Sequence, residues 1–173
     1  MRVISGKYKG RRLKGFDIEG TRPTMDRVKE SLFGMIQDRI LGSVCLDLFA
    51  GSGALGIEAL SNGASSCDFI DHNRISINTI FENTKNMDED FSVINCDYKK
   101  YLKSVSKKYD VIFLDPPYDK NLISKVLLYI EQYELLNDGG IVVCEYEKEN
   151  IVTNLKLVKE KSYGSKMIKI FEK

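Results

Sequence analysis

From Val44 onward, short apolar runs alternate with longer stretches whose apolar residues recur every three or four positions, the rhythm of strands and amphipathic helices in turn. The runs begin with the segment from Val44 through Leu46-Asp47-Leu48 and continue with Cys67 to Ile70, Phe91 to Cys96, Tyr109 to Leu114 and Ile141 to Tyr146. Helical spacing falls between them, near Ala54 to Asn62, Arg74 to Met87, Tyr98 to Val105 and Asn121 to Leu135. Such alternation predicts an α/β fold with a parallel sheet covered by helices on both faces. Gly63 reads as a helix stop, and Asp138-Gly139-Gly140 as the turn into the fifth strand. The tail changes character: Leu155 to Lys159 and Met167 to Phe171 alternate around Tyr163-Gly164-Ser165, which predicts a terminal antiparallel hairpin. Ahead of the sheet, Thr24 can cap a helix starting near Met25, whose Val28, Leu32, Met35, Ile36 and Ile40 form one apolar stripe facing the core.

Length and composition limit what this chain can be. The 173 residues suffice for one domain with a sound core, and 43% hydrophobic content is ordinary for a soluble protein. No apolar stretch approaches the roughly 18 to 20 residues needed to span a membrane, and Met1-Arg2 leads into no signal-peptide core, so a cytoplasmic protein is predicted, and nothing in the sequence demands more than a monomer. Cys45, Cys67, Cys96 and Cys144 lack metal-ligand spacing and sit in apolar runs, which points to buried reduced thiols and no metal. The net charge of +1 conceals an asymmetry: residues 1 to 43 carry ten Lys and Arg against five Asp and Glu, and the rest carry 16 against 20. Within Met1 to Gly15, Arg2, Lys7, Lys9, Arg11, Arg12 and Lys14 meet no acid at all. A concentrated basic segment of this kind is suited to nucleic-acid phosphates, with Tyr8 and Phe16 available either to stack on bases or to pack under a small hairpin.

The chemistry-bearing pattern starts in Leu46-Asp47-Leu48-Phe49-Ala50-Gly51-Ser52-Gly53-Ala54-Leu55-Gly56, where a strand runs through glycines into helix formers. Gly51 and Gly53 let the backbone turn sharply and approach a ligand, and Gly56 lets the helix pack closely on the strand. Gly51-x-Gly53-x-x-Gly56, with Asp71 after it, also fits a dinucleotide fingerprint, so an NAD-linked oxidoreductase is a competing reading. Asp47 inside the strand favours instead a cationic methionine moiety, which carries no pyrophosphate to be cradled. Asp71, followed by His72, closes the next strand and Asp97 the one after, so three successive strands end in an acid at the edge where parallel sheets bind ligands. Asp97 taken singly reads as a helix cap, a reading that explains less once the glycine loop and the other acids share its sheet edge, and His72, the one histidine, reads as a solvated loop side chain beside the cofactor.

Asp115-Pro116-Pro117-Tyr118 ends the fourth strand with a carboxylate, carbonyls fixed by proline and an aromatic face. Residues before proline are held extended, which makes a rigid acceptor shelf for a planar amine.

Together these blocks make the chain similar to the class I S-adenosylmethionine-dependent methyltransferases, specifically to the RsmD-type family that methylates the exocyclic N2 of a guanine in 16S ribosomal RNA. The resemblance spans nearly the whole chain. It rests on Arg2-Val3-Ile4-Ser5-Gly6, Gly10-Arg11-Arg12-Leu13, the block Thr21 to Phe33, the glycine loop and Asp115 to Tyr118, with Met25 and Ser5 departing from the family's usual Thr and Gly. The resemblance implies a Rossmann-like, mostly parallel seven-stranded sheet ending in an antiparallel hairpin, with a basic extension (1–43) packed on the methyltransferase domain (44–173). It implies S-adenosyl-L-methionine as cofactor, with Asp71 on its ribose, Asp97 beside its adenine, and Asp47, Gly51 and Gly53 around its methionine end. The partner implied is 16S rRNA, within a small-subunit ribosomal particle, met by the basic segment together with Arg22 and Arg27. Asp115, the Pro116 carbonyl, Pro117 and Tyr118 are then the catalytic set. Since Asp-Pro-Pro-Tyr also resembles enzymes acting on adenine N6 of DNA, that activity remains open at this stage, as do an oxidoreductase and a non-catalytic RNA-binding protein.

Overall fold

A computed structural model describes residues 1–15, 26–117 and 122–173. The Thr24 cap, Phe16, Arg22, Tyr118 and the first residue of the helix placed at Asn121 lie outside the described residues.

Seven strands form one sheet in the order β3-β2-β1-β4-β5-β7-β6. They are β1 (Val44–Asp47), β2 (Ser66–Asp71), β3 (Asp90–Asn95), β4 (Tyr109–Leu114), β5 (Leu136–Tyr146), β6 (Lys156–Tyr163) and β7 (Lys166–Glu172). The first five pair in parallel, whereas β7 pairs antiparallel with both β5 and β6. The helices are α1 (Asp26–Met35), α2 (Gln37–Ile40), α3 (Ala54–Ser61), α4 (Arg74–Thr84), α5 (Tyr98–Ser104) and α6 (Leu122–Gln132). Alternation along each strand divides the core in two. Cys45, Phe69, Val111, Phe113 and Val143 pack with residues of α1, α3 and α4, while Leu46, Ile70, Ile112, Leu114 and Val142 pack with α5 and α6. Because the central strands are buried on both faces, they read as continuous apolar runs rather than as alternating ones.

Apart from shifts of a few residues at element ends, the structure differs from the sequence reading in two places. Asp138-Gly139-Gly140 does not precede the fifth strand but lies inside it: Tyr109 pairs with Leu136 and Val111 with Ile141, so Asp110 alone faces the bulged segment. Asp110 supports that bulge by accepting from Asn137 Nδ2 at 2.8 Å, while its other oxygen accepts from the Val44 N–H at 2.8 Å. The stripe from Val28 to Ile40 is likewise not one helix, since Ile36 (φ −118°, ψ 15°) separates α1 from α2. Val28, Leu32, Ile36 and Ile40 are nonetheless buried, so the apolar stripe survives the break. No helix among the described residues is long and apolar enough to cross a membrane.

The first 13 residues fold back through one antiparallel bridge, Arg2 to Arg12, and rest on the end of α3. Gly6 approaches so closely that a Cβ there would lie 1.8 Å from the Ser61 carbonyl oxygen, which accepts from the Lys7 N–H at 2.7 Å. The anchor beneath this segment is ionic. Lys29 of α1 and Glu58 of α3, each 0% exposed in its side chain, pair at 3.0 Å. Glu58 also accepts from the Ile4 and Ser5 N–H groups at 2.9 and 2.8 Å, and Lys29 donates to the Arg2 carbonyl at 2.6 Å. Removing one partner of such a pair strands the other without water. Lys29→Met is therefore expected to cost roughly 3–5 kcal/mol in urea denaturation, and a loss below about 1 kcal/mol, the scale of an exposed pair, would show that Glu58 is satisfied without the lysine.

Candidate functional site

In an open parallel sheet the crevice for a ligand opens where the crossovers reverse direction. Here the chain moves outward from β1 through β2 to β3 and then returns to add β4 and β5 on the other side. The reversal falls between β1 and β4, which are in register through Asp47 and Phe113. The glycine loop leaves β1 at this point, and Asp115-Pro116-Pro117 leaves β4 beside it.

The loop is held by two carboxylates. Asp47, 2% exposed, accepts from the Gly56 N–H at 2.9 Å and so satisfies a first-turn donor of α3, a helix whose N-cap residue, Gly53, has no side chain. Asp71 accepts from the Gly51 N–H at 2.9 Å through one oxygen and from the Asn73 N–H at 2.8 Å through the other. Gly51 (φ 55°) and Gly53 (φ 78°) adopt left-handed geometry, closed by a 2.6 Å bond from the Gly53 N–H to the Ala50 carbonyl. A Cβ on Gly56 would lie 2.3 Å from the Phe69 ring, which accounts for the third glycine of the pattern. Ser52 contributes its backbone: its carbonyl accepts from Asn83 Nδ2 at 2.9 Å, and the same amide bonds both the N–H and the carbonyl of Lys14. Asn83 thus links the basic segment to the glycine loop.

Asp97 caps α5, accepting from Lys99 and Lys100 N–H groups, and it remains exposed. Phe49 meets Tyr98 at 5.4 Å between ring centres, an aromatic pair beside that cap. His72 is 75% exposed with Nδ1 3.8 Å from Asp71. Asp115 and Pro116 are half-buried and Pro117 is exposed.

The basic residues prove unequal. Arg2 pairs with Asp26 at 3.4 Å, Lys7 with Glu89 at 2.8 Å and Lys14 with Glu82 at 2.5 Å, while Arg11 donates to the Lys85 carbonyl. Lys9 and Arg12 are exposed and form no ion pair among the described residues. Arg27 lies with Glu30 and Ser31 along an open groove whose far wall is Lys161, Ser162, Tyr163 and Gly164. Sequence reasoning missed Lys161 in that groove, and it missed Asn83, Tyr98 and the Lys29–Glu58 anchor. An acid-free basic segment reads as a free cationic face only if its partners are local, and these partners come from α1, α4 and the loop after it.

All four cysteines are free, with three buried and Cys96 partly exposed. Among the described residues no cluster could hold a metal ion.

The topology, with its antiparallel β7 and a glycine loop at the β1/β4 switch, is that of the class I methyltransferases. The family described as "Conserved hypothetical protein 95" matches residues 1–172, and the chain belongs to it. Its relatives include YlbH of Bacillus subtilis, 40% identical over 100% of this chain and 99% of that protein. Another is the ribosomal RNA small subunit methyltransferase D of Haemophilus influenzae, 36% identical over 99% of this chain and 93% of its own. A solved Escherichia coli chain, yhhF, superposes with a TM-score of 0.89 at 31% identity, covering 100% of this chain and 97% of that one.

Burial pushes the Asp47 carboxyl up to about 7, against the Gly56 hydrogen bond that lowers it. A carboxyl raised by folding favours the folded state fully below its unfolded value near 4, and that contribution is lost as pH rises through about 7. Wild type should therefore lose stability between pH 5 and pH 8 by up to a few kcal/mol more than Asp47→Asn, at about 1.4 kcal/mol per pH unit. Parallel denaturation profiles for the two proteins would contradict the burial argument.

Proposed function

We propose that the protein transfers a methyl group from S-adenosyl-L-methionine to the exocyclic N2 of a guanine in small-subunit (16S) ribosomal RNA, acting in the cytoplasm on a small-subunit particle. The observation that carries this is the meeting, at one switch point, of a glycine loop pinned by two carboxylates and an Asp-Pro-Pro shelf. Membership of a family that includes a ribosomal RNA small subunit methyltransferase D supports it. The residues fit the cofactor: left-handed Gly51 and Gly53 bring bare backbone to the methionine end, with Phe49 and Ala50 leading in and Ser52 between. Asp47, beneath the loop, shapes that backbone rather than lying open beside it. Asp71 retains lone pairs for ribose hydroxyls, and Asp97 with the Phe49–Tyr98 pair borders the adenine position.

Bound S-adenosylmethionine supplies an electrophilic methyl on a sulfonium. The chain's part is to orient and activate the amine. The guanine N2 lone pair is delocalised into the ring, so attack requires the nitrogen to pyramidalise. Asp115 and the Pro116 carbonyl accept its two hydrogens and favour that geometry over the flat ground state. Tyr118 stacks on a base turned out of its helix. One N2 proton passes to Asp115 or to water after the nitrogen has become positive, so no strong base is needed, and alignment supplies most of the rate, up to about 7–11 kcal/mol in favourable cases.

Incubation with methyl-labelled S-adenosylmethionine and, in parallel, small subunits, naked RNA, duplex DNA and protein tests the reading. Label is expected at a guanine N2 of 16S rRNA, lost at least about 100-fold in Asp115→Ala, with cofactor affinity unchanged by calorimetry. Label on adenine N6, or on no substrate, would overturn it. The free cations make a second expectation. Lys9→Glu with Arg12→Glu should lower the slope of log affinity for RNA against log salt by about 0.7–0.9 per lost phosphate contact, whereas an unchanged slope would remove the amino-terminal segment from the interface.

A further inference from the structure

One buried acid at the carboxyl edge of the sheet has no counterpart in the roles assigned so far. Glu145 lies in β5, one residue beyond the registered pair Leu114 and Cys144, and Asp115 lies one residue beyond Leu114. The two acids therefore stand side by side where β4 and β5 end. Glu145 is 2% exposed. Strand alternation turns it to the same face as Val143, the face that packs against α1. One oxygen, Oε1, is held by the Lys166 ammonium from β7. The other, Oε2, is buried without a hydrogen-bond partner among the described residues, and no other described buried side-chain oxygen or nitrogen is left in that state.

An unpaired carboxylate oxygen in a dry site carries a desolvation cost that no bond offsets. Lys166 accounts for Oε1 alone, so an ion pair that served only packing would leave Oε2 as uncompensated loss. A donor brought by a ligand removes that loss. The ligand edge beside Asp115 follows from the reading proposed above, on which this inference rests: there the N2 amine lies against Asp115, and the neighbouring position on the same edge of guanine is N1–H, a donor. Adenine, by contrast, presents an unprotonated acceptor at N1, which would face the carboxylate lone pairs.

We propose that Glu145 selects the base, its Oε2 accepting the N1–H of the target guanine while Lys166 fixes the carboxylate through Oε1. Asp115 and Pro116 then read the amine that any 2-aminopurine carries, and Glu145 reads the proton that distinguishes guanine among them. A group that holds the ring at N1 also fixes the in-plane orientation of N2, so Glu145 acts on substrate choice and alignment together.

The test uses small-subunit particles reconstituted with 2,6-diaminopurine at the position that takes label, since this base keeps the N2 amine but has a bare acceptor at N1. Wild type is expected to lose about 10- to 100-fold in kcat/KM on the analogue relative to guanine, the usual scale for one misplaced base contact. In Glu145→Gln, Lys166 retains the amide oxygen and the NH2 group takes the place of Oε2. Guanine methylation should fall by a similar factor while the analogue gains, so the preference approaches unity or inverts, with thermal midpoint and S-adenosylmethionine affinity retained. Equal rates of wild type on both bases would overturn the proposal without recourse to any variant. So would a Glu145→Gln protein that slows both substrates by one factor, which would make Glu145 a support for Lys166 and nothing more. Absence of guanine methylation by wild type on unmodified particles is a separate outcome, seen before the analogue is used, and it removes the proposed function itself.

Discussion

The buried pair between Lys29 and Glu58 is the constraint on which the arrangement around it depends. Neither charge reaches water, so each must be satisfied by protein. Glu58 gathers the Ile4 and Ser5 amides as well as the lysine, and Lys29 takes the Arg2 carbonyl. Three pieces distant in sequence are thereby fixed to one another: the amino-terminal segment, α1 and α3. Since α3 begins at the glycine loop, the same anchor sets where that loop stands relative to the basic residues. Hydrophobic burial alone would hold α1 on the sheet, but it would leave its rotation and the path of residues 1–15 loosely determined, because apolar contacts carry little direction.

A second constraint acts within the loop. Two carboxylates on neighbouring strands take amide donors nine and twenty residues away, Asp47 from Gly56 and Asp71 from Gly51. The loop is therefore shaped from below and from the side before any ligand arrives, and little ordering cost remains to be met on binding. Asn83 extends this rigidity to Lys14, so the segment proposed to meet RNA and the loop proposed to meet the cofactor share one amide.

Much of the fold was legible in the chain because strands buried on both faces leave unmistakable apolar runs, and helices between them fix the pairing as parallel. The misreadings have physical causes. A bulge built on Asp138-Gly139-Gly140 uses the same residues as a turn, and only the pairing of Asp110 with both Asn137 and Val44 tells them apart. The break at Ile36 leaves the apolar stripe intact, so spacing could not reveal it. Acids at strand ends were legible as a group, since topology brings them to one edge, but the donor each oxygen takes was not. Lys29, Glu58 and Glu145 were invisible as buried charges for a related reason: a charged residue's exposure is decided by partners far along the chain, and composition counts it as surface.

The last strand decides how the sheet is closed. β7 follows β6 in the chain, yet it lies between β5 and β6, carrying Ile168 and Ile170 into the core. Until β7 pairs, the first five strands leave one edge of β5 open, and β6 has no place in the sheet. An unpaired apolar edge is able to recruit another chain, and here that edge is covered by the strand latest in sequence, so the hazard is the last to be removed as the fold forms.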